Sequence, residues 1–519
     1  MNLRYCSKPT VKRLFRVVLA IFLPLMLAAC SSSSLRKEIV RPEPSYALPP
    51  ATAGIFADMA NDQFAYHGPE SSGFKLLDGS YDALKWRLAL IDSAVSSLDI
   101  QTYLWYPDNS GRLILQRAAD AAQRGVKVRL VIDDLLTAGK DQSIYELNNL
   151  PNIEFRLFNP WKSRELLSRA GEMITDFERL NIRMHDKLII VDGNAAIIGG
   201  RNLGDHYFGL SSDYNFHDLD VLGIGHIARQ SNEMFDHFWN SEWVISAENL
   251  NTEHDPEFAE KKAQQLSEQI STAEELKAFG SEPRDWSAEL AAVAAELHTG
   301  TSYVIYDTTN GDQIEQGAAA KIFGFMDLAQ EELLITNAYI IPGQAGIDFI
   351  RSLTDRGVTV KILTNSLASH DVPAVNSHYK DWRDDFISAG AELFELRADA
   401  AIQSIVDVPP VEGGFVGLHT KAVVVDREMV FIGSMNFDPR SININTEAGA
   451  FVTSTSLAEE LARVMYRDMD PTNAWQVLLD EKGKPYWINS DETVHKQPAR
   501  NLSQRIMDIF FKIFPKDQY

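Results

Sequence analysis

A chain of 519 residues, 45% hydrophobic and 10% aromatic, is long enough for two or three packed domains. Its formal net charge is −23, and because the first 29 residues carry five positive charges and no acid, the remainder stands at −28. So acidic a body is poorly matched to a nucleic-acid backbone, which counts against a nuclease and against a nucleic-acid partner.

Residues 1–29 read as a signal peptide. A basic segment (Arg4, Lys8, Lys12, Arg13, Arg16) is followed by an apolar run over 17–29, too short for a comfortable membrane span. The run ends Leu27-Ala28-Ala29-Cys30, which resembles a bacterial lipobox and implies cleavage before Cys30 and lipid attachment to it. The other cysteine, Cys6, is then discarded, leaving a mature chain without disulfides. The expected address is a membrane surface facing the periplasm. Ser31, after the lipid-bearing residue, leans by resemblance to bacterial lipoproteins toward the outer membrane, but the inner and the outer membrane both stay open. Residues 30–52 are Ser-rich and then carry Pro42, Pro44, Pro49 and Pro50, the composition of a tether.

The first half spans residues 53–244. Leu84, Leu88, Ile91 and Val95 have helical spacing, residues 98–105 and 126–132 read as strands, and a helix with Ala118 and Ala121 lies between them. Strand, helix, strand argues an α/β layer with crossover helices. Residues 245–300, rich in Glu, Ala, Gln and Lys, read as a solvated acidic helical linker. The second half, 301–470, repeats the first: 333–339 matches 98–104, and 355–363 matches the region 123–130, at a nearly constant offset. Residues 471–519 predict a hairpin around Asp480-Glu481-Lys482-Gly483. An amphipathic helix then carries Leu502, Ile506, Ile509, Phe510, Ile513 and Phe514; either a membrane interface or the protein body can take its apolar side.

One pattern occurs in both halves. His185-Asp186-Lys187 leads through four apolar residues to Asp192, then Gly199 and Asn202; His419-Thr420-Lys421 leads in the same way to Asp426, Gly433 and Asn436. Both copies read H-x-K-x4-D-x6-G-x2-N, and the step from His185 to His419 is nearly the offset of the matched strands. The apolar stretch predicts a buried strand with His and Lys at its start, and the glycine allows the backbone close to a ligand. The chemistry suited to such parts is displacement at phosphorus. One imidazole attacks and becomes a phosphohistidine; the other protonates the departing oxygen and then deprotonates the incoming hydroxyl. Two lysines and two amides offset charge on the phosphoryl oxygens, so that no metal or other cofactor is called for. Asp192 and Asp426 belong to the motif and are counted with His185, Lys187, His419 and Lys421 among the catalytic-site residues, although their place at the far ends of the apolar stretches suggests that they brace the strand rather than touch phosphate.

These residues resemble the phospholipase D superfamily, whose members carry the motif twice. Gly433-Ser434-Met435-Asn436-Phe437-Asp438-Pro439-Arg440-Ser441, then Asn445-Thr446-Glu447, extends the match; the first copy departs from it with Gly200 in place of Ser434. The resemblance is to the bacterial cardiolipin synthase branch, most closely its type C members. It implies two duplicated α/β domains, each a mixed sheet flanked by helices, related by a pseudo-two-fold axis and sharing one active site. It implies Asn202, Asn436 and Ser434 as phosphate-binding residues. It also implies a carboxylate behind each imidazole: Glu447, downstream of His419, and Asp218, downstream of His185, with Asp220 competing for the latter place. It implies phospholipid substrates, phosphatidylglycerol and, as donor, phosphatidylethanolamine, and leaves room for an accessory protein. Transfer to a lipid hydroxyl gives cardiolipin; hydrolysis by the same intermediate gives phosphatidic acid. His185 is assigned as nucleophile and His419 as general acid and base. The approaches to the two motifs, 159–182 and 408–414, are candidates for the walls of the mouth.

Overall fold

The computed structural model describes residues 34–36 and 38–512. The expected signal peptide and Cys30 lie outside them, as do Ile513 and Phe514. Among the described residues, eighteen strands join in one sheet. Across the first half the spatial order is Val244–Ser246, Ile153–Phe158, Lys127–Asp133, Ser97–Thr102, Leu188–Val191, Ala195–Gly199, Asp220–Gly225 and Ser71–Leu77. The second half repeats it in reverse: His298–Tyr306, Ala448–Thr453, Met429–Gly433, Lys421–Val425, Glu332–Asn337, Thr359–Asn365, Glu392–Leu396 and Ala474–Leu479. The halves meet where Ser71–Leu77 pairs antiparallel with His298–Tyr306, Ser71 opposite Thr301 and Phe74 opposite His298. In each half three strands run parallel and need helical crossovers, and the rest are antiparallel.

The strands that carry the repeated motif alternate between two cores. Ile189 and Val191 face an outer core of the first half, packed under the helices Ser80–Ser93 and Asn109–Gln123. Leu188 and Ile190 face a central core with Phe235, Phe238 and Trp239. Ala422 and Val424 enter that same central core, while Val423 and Val425 face an outer core of the second half. The period of two thus buries every residue of each strand, each large side chain worth about 1.5–3 kcal/mol. The central core also contains Leu457, Leu461 and Met465 of the helix Thr455–Asp468, so the halves are fused through their interiors.

Two segments differ from expectation, and the end piece follows it in part. The expected tether is strapped to the body: Val40 and Ser45 donate from backbone N–H to Asn249 Oδ1 and Asn240 Oδ1, Ala47 to both carboxylate oxygens of Asp236, and Ala51 to the Asp192 carbonyl. Asn and Asp side chains capture an irregular segment here, which composition does not reveal. The acidic linker forms the helices Pro256–Thr272 and Ser287–Ala294, but Ile270, Leu276, Phe279, Trp286, Leu290 and Val293 are buried in the first half's core, so one face is packed rather than solvated. The end piece forms the expected hairpin, Ala474–Leu479 with Pro485–Ile488, whose turn Asp480 closes by accepting N–H bonds from Lys482 and Lys484. The last helix, Leu502–Phe511, packs on Pro373–Tyr379 through its polar residues, Gln504 and Asp508.

Candidate active site

Two short strand pairings cross between the halves and bring the motifs together. Asn215–His217 runs parallel to Val416–Leu418, so that His419 N–H donates to the His217 carbonyl at 2.8 Å. Met184 bridges Thr446 in the same sense, and His185 N–H donates to the Thr446 carbonyl at 3.0 Å. Each imidazole therefore lies beside a carboxylate of the opposite half. His185 Nδ1 is 2.9 Å from Glu447 Oε2, and His419 Nδ1 is 2.6 Å from Asp218 Oδ2. This corrects the pairing within halves, Glu447 with His419 and Asp218 with His185, because the carboxylate strands exchange partners at the seam. Asp220 does not compete: it is buried and paired with Arg87 and Arg201, both at 2.9 Å.

Ser434 takes a different place from the one expected. Its Oγ donates to Glu447 Oε2 at 2.5 Å and accepts from Ala448 N–H at 3.0 Å, so it orients the carboxylate rather than facing phosphate. Gly200 replaces it in the first half because a Cβ there would lie 2.3 Å from Asp218 Oδ1. A short aspartate with no room beside it in one half corresponds to a longer glutamate braced by a hydroxyl in the other. Gly199 and Gly433 also differ from expectation: a Cβ would meet Asp220 and the Ala448 carbonyl, so the close approach is to the neighbouring strand, not to a ligand.

Asp192 and Asp426 are structural. The Asp192 carboxylate accepts backbone N–H bonds from Val95, Ser96 and Ser97 at 2.7 to 3.2 Å. Asp426 accepts from Gln330, Glu331 and Glu332, all at 2.9 Å. Each ties the far end of its motif strand to the start of the neighbouring strand.

His185, Asn202, His419 and Asn436 line a cavity of about 320 Å³. Asn202 Nδ2 donates to Tyr207 Oη at 2.9 Å and its Oδ1 accepts from Leu104 N–H, whereas Asn436 Oδ1 is buried without a partner. Lys187 Nζ and Lys421 Nζ donate to the carbonyls of His185 and His419. Burial holds both ammonium groups below the usual lysine range, Lys187 at about 7 and Lys421 at about 8, and the charge of Lys421 adds to the lowering of Lys187. Burial, with Lys187 and Lys421 next, pushes His185 well below its ordinary value, so it is a neutral imidazole. His419 is also lowered, by burial and Lys421, against the opposing pull of Asp218. The carboxylates diverge: burial pushes Glu447 up to about 7, whereas for Asp218 burial is outweighed by His419, Lys421 and Arg201 together, which hold it below the ordinary range.

The cavity wall includes residues that motif spacing does not reveal. Tyr103 stands edge-on to His185 at 5.1 Å, Tyr207 and Phe216 lie 5.1 and 5.0 Å from His419, and Tyr339 stands edge-on to it at 6.3 Å. The sequence match of 333–339 with 98–104 pairs Tyr339 with Leu104 rather than Tyr103, which hides their shared use. Arg440 lines the cavity and donates to the side chain and carbonyl of Asn181, linking the halves at the rim. Among the described residues, none of 159–182 or 408–414 lines the cavity; the latter segment stitches the halves, Val408 N–H to Gly209 and Gly414 N–H to Ser212.

The family described as "Cardiolipin synthase, PLD-like domain" matches residues 88–239 and 322–469, one match in each half. The chain belongs to this family. Cardiolipin synthase C of Escherichia coli K12 is 34% identical over 465 residues, covering 86% of this chain and 96% of that protein. An uncharacterized protein of Helicobacter pylori J99 is 30% identical, covering 97% and 99%. Among solved structures, phosphatidylserine synthase of Haemophilus influenzae Rd KW20 shares the fold, with a TM-score of 0.54 at 14% identity over 79% of this chain and 91% of that one. As a member of the cardiolipin synthase family, the chain is a phospholipase D-type phosphatidyltransferase, and its duplicated sheet is the family's repeated domain.

Proposed function

We propose that the enzyme makes cardiolipin from two phospholipids, through a phosphatidyl-histidine, at a membrane to which it is attached by lipid on Cys30, facing the periplasm. The observation that carries the chemistry is the crossed pair of histidine–carboxylate contacts. With both Nδ1 atoms engaged, each ring keeps Nε2 for the cavity. His185, the more depressed imidazole, attacks phosphorus. His419, backed by a firmly ionised Asp218 that stabilises its protonated form, gives a proton to the departing headgroup oxygen. It then takes the proton from a phosphatidylglycerol hydroxyl, whose oxygen attacks the phosphohistidine and frees His185. Lys187 and Lys421 supply positive charge beside the phosphoryl oxygens, and the Asn436 and Asn202 amides complete their surroundings. The aromatic wall favours a lipid hydroxyl over water as acceptor.

The test is lipid mass spectrometry on the purified full chain given phosphatidylethanolamine and phosphatidylglycerol together and singly. Cardiolipin as main product establishes transfer, and the single-lipid samples name the donor. Phosphatidic acid alone makes the enzyme a hydrolase through the same intermediate. No change in either lipid points to a missing accessory protein or a different phosphodiester.

A further inference from the structure

The terminal helix Leu502–Phe511 is mounted with its polar side inward. Gln504 donates to the Leu367 carbonyl, and Asp508 accepts from Asn376 Nδ2 and Lys380 Nζ, both at 2.6 Å. Leu502, Ile506 and Ile509, at spacings of four and three, are consequently turned outward at 71%, 57% and 69% exposure. A packed surface helix normally does the reverse, burying its apolar stripe. In the first half, Ile174, on the helix Leu166–Thr175, is 85% exposed, and Phe177, which begins the next helix, is 42% exposed.

Both apolar faces adjoin the cavity rim. Leu502–Phe511 packs on Pro373–Tyr379, whose Val375 lines the cavity, and just before it the Arg500 guanidinium lies 3.3 Å from the centre of the Phe415 ring, which stacks on the cavity residue Tyr214. The Ile174 and Phe177 face continues to Asn181, the partner of the rim residue Arg440. Residues 34 and 163 meet at this face. Ser34 bridges Ser163, and N–H groups of Lys162 and Ser163 donate to Glu172 of the helix that bears Ile174. Cys30 lies four residues before Ser34, a reach of at most about 14 Å. Arg505 lies on the terminal helix beside its apolar stripe, whereas Lys162 near the first face and Lys512 at the helix end are each paired with a carboxylate, Asp176 at 3.1 Å and Asp381 at 3.0 Å.

We propose that these two faces are prongs that enter the interfacial layer of a phospholipid bilayer and set the cavity mouth against it, with the lipid on Cys30 emerging beside one prong. The proposal rests on the reading of the enzyme as a phospholipid transferase. The apolar side chains replace contact with water by contact with acyl chains, and Arg505 meets anionic headgroups. Substrate then enters from the membrane without crossing water.

The test uses the full chain in vesicles of phosphatidylethanolamine and phosphatidylglycerol. Nitroxides placed at Ile174→Cys and Ile509→Cys should become accessible to oxygen and protected from a water-soluble nickel relaxant. One at Tyr66→Cys should stay in water: that residue lies near Ser71, at the sheet end remote from Asp218. The labelled parent chain gives the background. In parallel, Ile506→Asp with Ile509→Asp should lower the rate on vesicles about tenfold or more while leaving turnover of dispersed short-chain phospholipids unchanged. Water-exposed nitroxides at 174 and 509, or equal vesicle rates, overturn the docking proposal. Wild-type protein inert toward short-chain phospholipids as well overturns the functional reading instead, whatever the nitroxides report.

Discussion

His185 Nδ1, in the first half, lies 2.9 Å from Glu447 Oε2, in the second. Its counterpart, His419, reaches back to Asp218 at 2.6 Å. Neither half holds a complete histidine–carboxylate pair, so the site exists only when the seam is formed. The two pairs also differ electrically: burial raises Glu447 to about 7, while Asp218 beside His419 stays ionised.

That difference assigns roles that can be trapped. With a phospholipid whose headgroup is a good leaving group, His419→Ala should still form the phosphohistidine, since no proton is needed for departure, and should then stall for want of a base. Intact-protein mass spectrometry should find the phosphatidyl adduct on His419→Ala and none on His185→Ala. The reverse pattern exchanges the two roles.

Ser434→Ala removes a hydroxyl that donates to the charged form of Glu447, so the carboxyl should titrate higher still. If activity needs ionised Glu447, the acid limb of the pH–rate profile moves to higher pH. Gly200→Ser should be worse than Ser434→Ala, because its Cβ collides with Asp218. A profile unmoved by Ser434→Ala removes Glu447 from the titrating step.

Asp192→Ala and Asp426→Ala should act on stability, not chemistry. Loss of a carboxylate that gathers three N–H groups costs about 1–3 kcal/mol. The cost should be larger at Asp192, whose donors are less exposed than those of Asp426. Denaturant unfolding should rank them so, with turnover per folded molecule near wild type. A large kcat loss in a folded variant contradicts the bracing role.

Binding of a phosphate-like oxyanion such as tungstate should take up protons at pH 8. Burial sets Lys421 at about 8 and Lys187 at about 7, so at this pH neither is fully charged. An anion between them raises both pKa values and draws protons from buffer. Calorimetry in buffers of different ionisation enthalpy measures the uptake; no uptake, or release, means the lysines are already fully charged.

Much of this molecule was determined locally and is legible in the chain. The step from His185 to His419 nearly equals the one from 98–104 to 333–339 and so reports a duplication, and the alternating burial of residues 188–191 and 422–425 follows from strand period. The residues of the motif are chemically specific enough to name the reaction class and the family. What only the tertiary structure decided are relations between distant segments: which carboxylate serves which imidazole, that Ser434 braces Glu447, that Gly200 yields space to Asp218, and that Gln504 and Asp508 rather than Leu502, Ile506 and Ile509 face the body. The physical reason is that spacing along a chain encodes period and duplication, whereas the exchange of strands at the seam and the choice of buried face depend on which surfaces meet after folding.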